Sequence, residues 1–104
     1  MWYPEKAARL VHILEKLEED GLLDRLTRIE PTAATSELIE VVHSRGYIDE
    51  VRDACESGKN HLDVLRLVPV SEDSYEVALL AAGGVLAAVD AVMEGRVDNA
   101  FCAI

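Results

Sequence analysis

Apolar residues near the start of the chain recur at the spacing of one helical face. They occupy positions i, i+3, i+4 and i+7: Leu10, Ile13, Leu14 and Leu17. Charged residues fall between them on other faces, which predicts an amphipathic helix from about residue 4 to residue 20. Pro4 suits the first turn of such a helix, and Gly21 suits its end.

Two short elements are expected next. Leucines at positions 22, 23 and 26 indicate a further helical turn that packs on the same core. Residues 27–30 then predict a short strand that Pro31 terminates, because proline has no backbone N–H to donate to a neighbouring strand.

Two capped helices are expected in the middle of the chain. Thr35 can cap the first of them. Its buried side comprises Leu38, Ile39, Val41 and Val42. The second runs from about residue 47 to residue 57 and ends at Gly58. Its buried residues are Ile48, Val51 and Cys55. Residues 62–70 are ambiguous, since they could form a strand or an apolar segment laid over the core.

The longest predicted helix lies near the end of the chain. Ser71 can cap it, and Gly95 lies beyond its end. Apolar residues surround this helix on nearly every side, so we expect it to be buried within the fold. Gly83 and Gly84 each cost about 1 kcal/mol relative to Ala, which indicates that another backbone packs closely against them. A closing strand is expected at residues 100–104.

Length and composition indicate that residues 1–104 form a single domain or part of one. Half of the residues are hydrophobic and 5% are aromatic, so the core must be built mainly from aliphatic side chains. Cys55 and Cys102 belong to no C-x-x-C pair, which favours two reduced, partly buried thiols. The N-terminus lacks the apolar core of a signal peptide, and the uncharged run at residues 77–89 is shorter than the roughly 20 residues that a bilayer requires. We therefore expect a cytoplasmic protein that does not enter a membrane.

The charge of the chain argues against two classes of partner. The chain has 20 acidic residues and 10 basic ones, which gives a net charge of −10. A surface of this sign repels phosphate groups, so we expect neither nucleic-acid binding nor binding to anionic membranes. We expect the charge to maintain solubility rather than to form an acidic docking patch.

Neither the histidines nor the clustered carboxylates form a recognisable site. The three histidines are His12, His43 and His61. No two of them have the sequence spacing of ligands to one metal ion. Adjacent carboxylates at the end of the first helix could form a metal or acid–base pair: Glu18, Glu19 and Asp20. At the exposed end of a helix they are expected to be a solvated face instead.

Several short motifs resemble those of a known enzyme superfamily. Residues 3–10 (YPEKAARL) resemble the H-P-E-R-P-E-R-L opening of the histone deacetylase superfamily, which also includes acetylpolyamine amidohydrolases and acetoin-utilisation proteins. The other motifs follow in family order. Residues 42–48 resemble the family motif V-H-S-x-x-Y-I, and residues 70–78 resemble V-S-P-x-S-Y-E-A-A. Residues 81–84 resemble A-A-G-G, and residues 99–101 resemble N-A-F. The resemblance extends over essentially the whole chain.

The resemblance implies the N-terminal part of an arginase/deacetylase-type α/β fold, here a mostly helical fragment with about four helices and two or three short strands. The family has a zinc site at the C-terminal ends of its strands. Its next motif, R-P-P-G-H-H, is expected to begin after Ile104, and its later Asp, His and Asp ligands and its catalytic Tyr are absent from these 104 residues. We therefore expect no cofactor in this chain, zinc only in a full-length relative, and no catalytic activity.

The resemblance also implies remnants of a substrate rim. Tyr3 replaces the opening histidine of the family motif, and Pro4 matches the proline that follows it. Asp63 resembles an aspartate of the rim loop that orients an acyl-lysine backbone in the family. The usual L-D-x-D-T is replaced here by a longer and more apolar stretch, so the rim has diverged.

Two functional hypotheses follow. The chain is either the non-catalytic N-terminal scaffold segment of a histone deacetylase-like zinc amidohydrolase or a free-standing module of that family that self-associates or binds a partner. Uncovered, its long helix and closing strand would expose an apolar patch and edge. We therefore expect a homodimer or higher oligomer, or a partner that supplies the missing half. The expected self-association edge is Phe101, Cys102 and Ile104. In the alternative, a monomer, Trp2 or residues 62–70 cover this surface.

Overall fold

The computed structural model describes residues 5–63, 65–66 and 68–104. Helices dominate, as expected. They are α1 (Ala8–Glu19), a 3-10 turn (Leu23–Arg25), α2 (Ser36–Ile39), α3 (Arg45–Glu56) and α4 (Ser74–Met93). The 3-10 turn and the helices each coincide with a predicted element, although α1 begins later than expected and α2 is a single turn. Pro4, the predicted start of the first helix, lies outside the described residues.

The predicted short strands are wrong for the described residues. Residues 27–30 and 100–104 have no regular secondary structure. The ambiguous stretch after residue 61 makes an isolated antiparallel bridge between His61 and Pro69. A strand needs a neighbouring strand to accept and donate its backbone hydrogen bonds, and the described part of the chain offers none to these segments.

An irregular backbone segment crosses the middle of α4 at a glycine. A Cβ atom on Gly83 would overlap the carbonyl oxygen of Thr32, and would lie 2.7 Å from the carbonyl carbon of Thr32 and 2.9 Å from the amide nitrogen of Ala34. The Ala34 N–H also donates a hydrogen bond to the carbonyl oxygen of Leu79 at 2.9 Å. The prediction that another backbone packs closely against the glycine pair is confirmed at Gly83.

The buried core is small and consists mostly of small side chains. Its hydrophobic members are Ala34, Ile48, Ala54, Cys55, Ala88 and Ala91. They belong to α3, α4 and the segment that crosses α4. Ile48 and Cys55 were predicted to be buried, and both are. The fold therefore rests on the packing of α3 and the crossing segment against α4.

Two apolar surfaces that were expected to be buried are exposed. Val41 and Val42, assigned to the buried side of the second helix, are 79% and 78% exposed. Six large apolar residues of α4 are also exposed: Val77, Leu80, Val85, Leu86, Val89 and Met93. The physical reason is that no element among the described residues covers these surfaces.

The total exposed area agrees with this incomplete burial. The chain exposes 8199 Å², whereas a compact monomer of its mass would expose about 5,800 Å². Its radius of gyration is 16.1 Å, against about 13 Å for a compact domain of this length. The molecule is a slab of 43 × 34 × 17 Å. Roughly 2,400 Å² of surface is therefore exposed beyond what a compact monomer of this size shows.

The helix α4 is long and apolar enough to cross a membrane, by length and composition only. The core helix of a larger soluble domain has the same properties. Non-helical backbone is not tolerated against lipid, and the irregular segment at Thr32 lies against the centre of α4. Asp90 also lies within the helix. These two features favour a core helix.

Side chains cap the N-termini of the two central helices, α2 and α3. The Leu38 N–H donates to Oγ1 of Thr35 at 3.4 Å, which confirms the predicted cap of α2. The Tyr47 N–H donates to Oγ of Ser44 at 3.2 Å. The prediction that Ser71 caps the longest helix is wrong, because α4 begins only at Ser74. The Ser71 hydroxyl instead accepts from the Asp73 N–H at 3.3 Å, in the turn before the helix.

We expect Ser44→Ala to lower the free energy of unfolding by about 1 kcal/mol, because an N-terminal amide of α3 loses its acceptor. Urea unfolding followed by circular dichroism measures the loss. Ser57→Ala at the other end of α3 is the matched control, since the Ser57 hydroxyl only reaches the carbonyl oxygen of Ala54 at 3.4 Å. Equal losses from the two variants would contradict the capping role.

Candidate functional site

The predicted site residues that the structure describes belong to two different segments of the chain. Tyr3 and Pro4 lie outside the described residues. Asp63 lies in the loop between α3 and α4. Phe101 is 76% exposed and Ile104 is 53% exposed, whereas Cys102 is half-buried. The terminal residues are therefore accessible, as a self-association edge requires, but none of these facts tests that prediction.

A contact between α1 and the end of the sequence was not predicted. Nη2 of Arg9 donates a hydrogen bond to the carbonyl oxygen of Ile104 at 2.7 Å. The same nitrogen lies 3.3 Å from Oε2 of Glu5. Arg9 belongs to the stretch that resembles the family opening, so this motif is hydrogen-bonded to Ile104. Sequence spacing carries no signal for a contact between residues so far apart.

The loop of residues 59–70 is closed by backbone hydrogen bonds. The Val70 N–H donates to the carbonyl oxygen of Asn60 at 2.8 Å, and the Leu62 N–H donates to that of Val68 at 3.0 Å. Oδ1 of Asp63 accepts from the Val68 N–H at 2.8 Å. The Asp63 carboxylate therefore stabilises the loop itself, whatever further role it has.

Arg66 has an unusual backbone conformation within this loop. Its φ is 58°, in the left-handed region that costs a residue with a side chain roughly 1–2 kcal/mol. Its amide donates to the carbonyl oxygen of Asp63 at 3.2 Å. The closed loop thus holds an arginine where glycine would be unstrained.

A cavity lined by polar and charged residues of both signs lies at this loop. The cavity has a volume of about 350 Å³. It is lined by Lys59, Asn60, His61, Asp63 and Arg66. Its polar lining distinguishes it from the apolar groove described next.

An apolar groove lies between α2 and α4. It has a volume of about 500 Å³. Its lining residues are Leu38, Ile39, Val41, Val42, Ala82, Val85 and Leu86. The apolar lining excludes acid–base chemistry in the groove and makes it suited to an apolar element of another chain or domain.

The described side chains do not fit a catalytic zinc ion. No group of three or more His, Cys, Asp or Glu residues that could hold a metal occurs within the part of the chain that the structure describes. The three histidines are spread over α1, the turn between α2 and α3, and the 59–70 loop. The His43 ring lies against that of Tyr47, with centroids 5.6 Å apart and planes inclined by 34°. An open catalytic zinc site needs three protein ligands, so we assign no metal-dependent step to these residues.

Comparison with known proteins identifies relatives that align with nearly the whole of this chain. A sequence model described as the histone deacetylase domain matches residues 3–104. A human protein named polyamine deacetylase HDAC10 is 33% identical over 104 residues, which is 96% of this chain and 16% of the relative. A probable deacetylase of Archaeoglobus fulgidus is 32% identical and aligns with 98% of this chain and 28% of its own length.

A bacterial relative extends the comparison. A histone deacetylase-like amidohydrolase of Pseudomonas aeruginosa is 35% identical over 99 residues, which is 94% of this chain and 24% of the relative. The chain therefore spans less than a third of the length of each of these relatives.

Proposed function

Because the chain belongs to the histone deacetylase family, we propose that it is the N-terminal scaffold segment of a histone deacetylase-like zinc amidohydrolase domain. In this role it supplies no metal ligand and no catalytic tyrosine. The family match at residues 3–104 and the small fraction of each relative that the chain spans support the proposal.

The observation that carries the proposal is the exposure of α4. This helix is apolar on nearly all sides, yet Val77, Val85 and Val89 are exposed. A helix that is apolar all round belongs in the interior of a larger domain. Its centre is already crossed on one side by the backbone at Thr32. The remaining apolar surface fits the elements that complete a deacetylase domain.

The surface area supports the same interpretation. The excess of roughly 2,400 Å² over a compact monomer is larger than the roughly 800 Å² that each partner buries in a standard protein–protein interface. Completion of a domain core, or an obligate assembly, is the kind of contact that covers so much surface.

An alternative function is a free-standing module that forms a homodimer or higher oligomer, or that binds a partner supplying the remaining half. The apolar groove between α2 and α4 favours this alternative, because soluble monomers rarely expose a large continuous apolar patch. The residues Phe101, Cys102 and Ile104 remain the proposed self-association edge, and the groove adds a second surface.

We also propose a cytoplasmic location without nucleic-acid or membrane partners. The net charge of −10 supports this, since it disfavours binding to phosphate backbones and to anionic lipid. Cys55 is a free thiol buried in the core. A buried free thiol suits a reducing compartment.

We expect the purified 104-residue chain to bind less than one equivalent of zinc and to hydrolyse an acetyl-lysine peptide no faster than buffer. The physical reason is the lack of a three-ligand set among the described residues. Metal analysis by mass spectrometry and a fluorogenic deacetylase assay make the two measurements.

A full-length relative, the Pseudomonas aeruginosa amidohydrolase, serves as the positive control for both the metal analysis and the assay. Stoichiometric zinc together with turnover by the 104-residue chain would overturn the non-catalytic scaffold role.

A further inference from the structure

Phe101 is a large apolar side chain that its own chain leaves uncovered. It is the one phenylalanine of the sequence, and it is 76% exposed. The surrounding residues 99–104 have no regular secondary structure and carry no charged side chain. An aromatic side chain that enters a pocket of a partner is a common anchor of protein–protein contacts.

Hydrogen bonds on both sides of Phe101 attach its segment to helices. The Arg96 N–H donates to the carbonyl oxygen of Ala91 in α4 at 2.9 Å. Nη2 of Arg9 in α1 donates to the carbonyl oxygen of Ile104 at 2.7 Å. A segment that is attached at both ends loses less conformational freedom when it binds a partner than a segment that is attached at one end.

The apolar groove between α2 and α4 is not filled by this segment. Its volume of about 500 Å³ is within the range of cavities that hold small organic ligands. The described residues that line it are all apolar, and none of them belongs to residues 99–104. Two of them, Val41 and Val42, are 79% and 78% exposed. An occupant of the groove must therefore come from another molecule.

Charge favours a contact between these two surfaces. Two copies of a chain with a net charge of −10 repel each other over most of their surfaces. The described lining of the groove and residues 99–104 are both uncharged, so their contact buries no ionised side chain. Only the Phe101 side chain has to enter the groove, and the backbone of its segment keeps its hydrogen bonds to water.

We propose that the apolar groove of one copy of this chain binds the Phe101 side chain of a second copy. The proposal rests on the alternative function given above, self-association of a free-standing module, and it joins the terminal edge and the groove in one contact. Because the contact pairs two different surfaces, two copies exchange their Phe101 side chains reciprocally or successive copies bind head to tail.

The test divides the two halves of the contact between two variants. Phe101→Glu keeps the groove and loses the anchor, whereas Val42→Glu keeps the anchor and places a carboxylate in the groove. The 15N-labelled Phe101→Glu chain is titrated with the unlabelled Val42→Glu chain and followed by NMR. We expect saturable shifts of the amides at residues 38–42 and 82–86, with a dissociation constant of about 1 mM or lower, as suits one small contact.

The matched control titrant carries Val42→Glu together with Phe101→Ala, so it has the same net charge as Val42→Glu but lacks the anchor. We expect no saturable shifts from it. Shifts that do not saturate with the Val42→Glu chain, or that are equal with the two titrants, would overturn the proposal. Positions 42 and 101 are both exposed, so we expect each variant to keep the circular dichroism spectrum of the parent. The deacetylase scaffold role is tested separately by zinc analysis and turnover, so either proposal can fail without the other.

Discussion

We expect Gly83→Ala to lower the free energy of unfolding by more than about 3 kcal/mol, or to abolish cooperative unfolding. A Cβ atom at this position would overlap the carbonyl oxygen of Thr32 and lie 2.9 Å from the amide nitrogen of Ala34. Both obstacles are backbone atoms, so no side chain can rotate away to relieve the overlap. Urea unfolding followed by far-ultraviolet circular dichroism measures the effect.

The cost includes a tertiary hydrogen bond. The Ala34 N–H donates to the carbonyl oxygen of Leu79 at 2.9 Å, one turn from the glycine. Any shift that makes room for the new methyl group moves the crossing segment outward and lengthens this bond. The buried Ala34 loses its packing in the same movement.

Gly84→Ala is the matched control for this prediction. A Cβ atom there meets only Cβ of Pro31, at 3.5 Å, which is an ordinary van der Waals contact. Alanine is favoured over glycine in a helix by about 1 kcal/mol, so we expect this variant to be as stable as the parent or more stable. Equal destabilisation by the two substitutions would mean that the backbone at Thr32 does not cross α4 in solution.

Sequence reasoning predicted the helices well because their signals are local. The signals are the apolar spacing of α1, the cap at Thr35 and the glycine after α3. Each depends only on residues a few positions apart in the sequence. The close approach at Gly83 was predicted for a different reason. Adjacent glycines in a long apolar helix carry a cost that only a tertiary contact explains.

The failed predictions concern burial and strand pairing, and they share a cause. Val41 and Val42 carry the pattern of a buried face but are 79% and 78% exposed. The predicted closing strand at residues 100–104 is apolar but has no regular structure in this chain. An apolar pattern indicates that a surface is covered in the functional protein. It does not indicate which chain, or which part of a chain, provides the cover.

The candidate site was only partly predictable. The family resemblance pointed to Asp63, and the structure shows that its carboxylate accepts a hydrogen bond from the loop backbone. The left-handed conformation of Arg66 could not be predicted, because it arises from closure of the loop between Asn60 and Val70. Glycine or asparagine would have signalled such a position, and arginine does not.

The apolar groove leads to the second prediction with a large effect. We expect the chain to form a dimer or higher oligomer at micromolar concentration, and Val42→Glu to weaken that assembly at least about a hundredfold. Val42 is 78% exposed in the single chain, so the glutamate is solvated and harmless there. In an assembly that covers the groove, the same carboxylate is buried without a partner. Light scattering behind size exclusion, over a range of concentrations, measures the effect.

Val11→Glu on α1 is the control for added charge. Val11 is 52% exposed and lies outside the groove, so the variant has the same net charge as Val42→Glu. We expect it to assemble like the parent chain. Phe101→Glu places the carboxylate at the proposed terminal edge. Dissociation of the oligomer in this variant would show that the edge takes part in self-association. A parent chain that is monomeric at micromolar concentration would contradict self-association. Equal weakening of the assembly by Val42→Glu and Val11→Glu would show repulsion between acidic chains rather than a specific apolar interface.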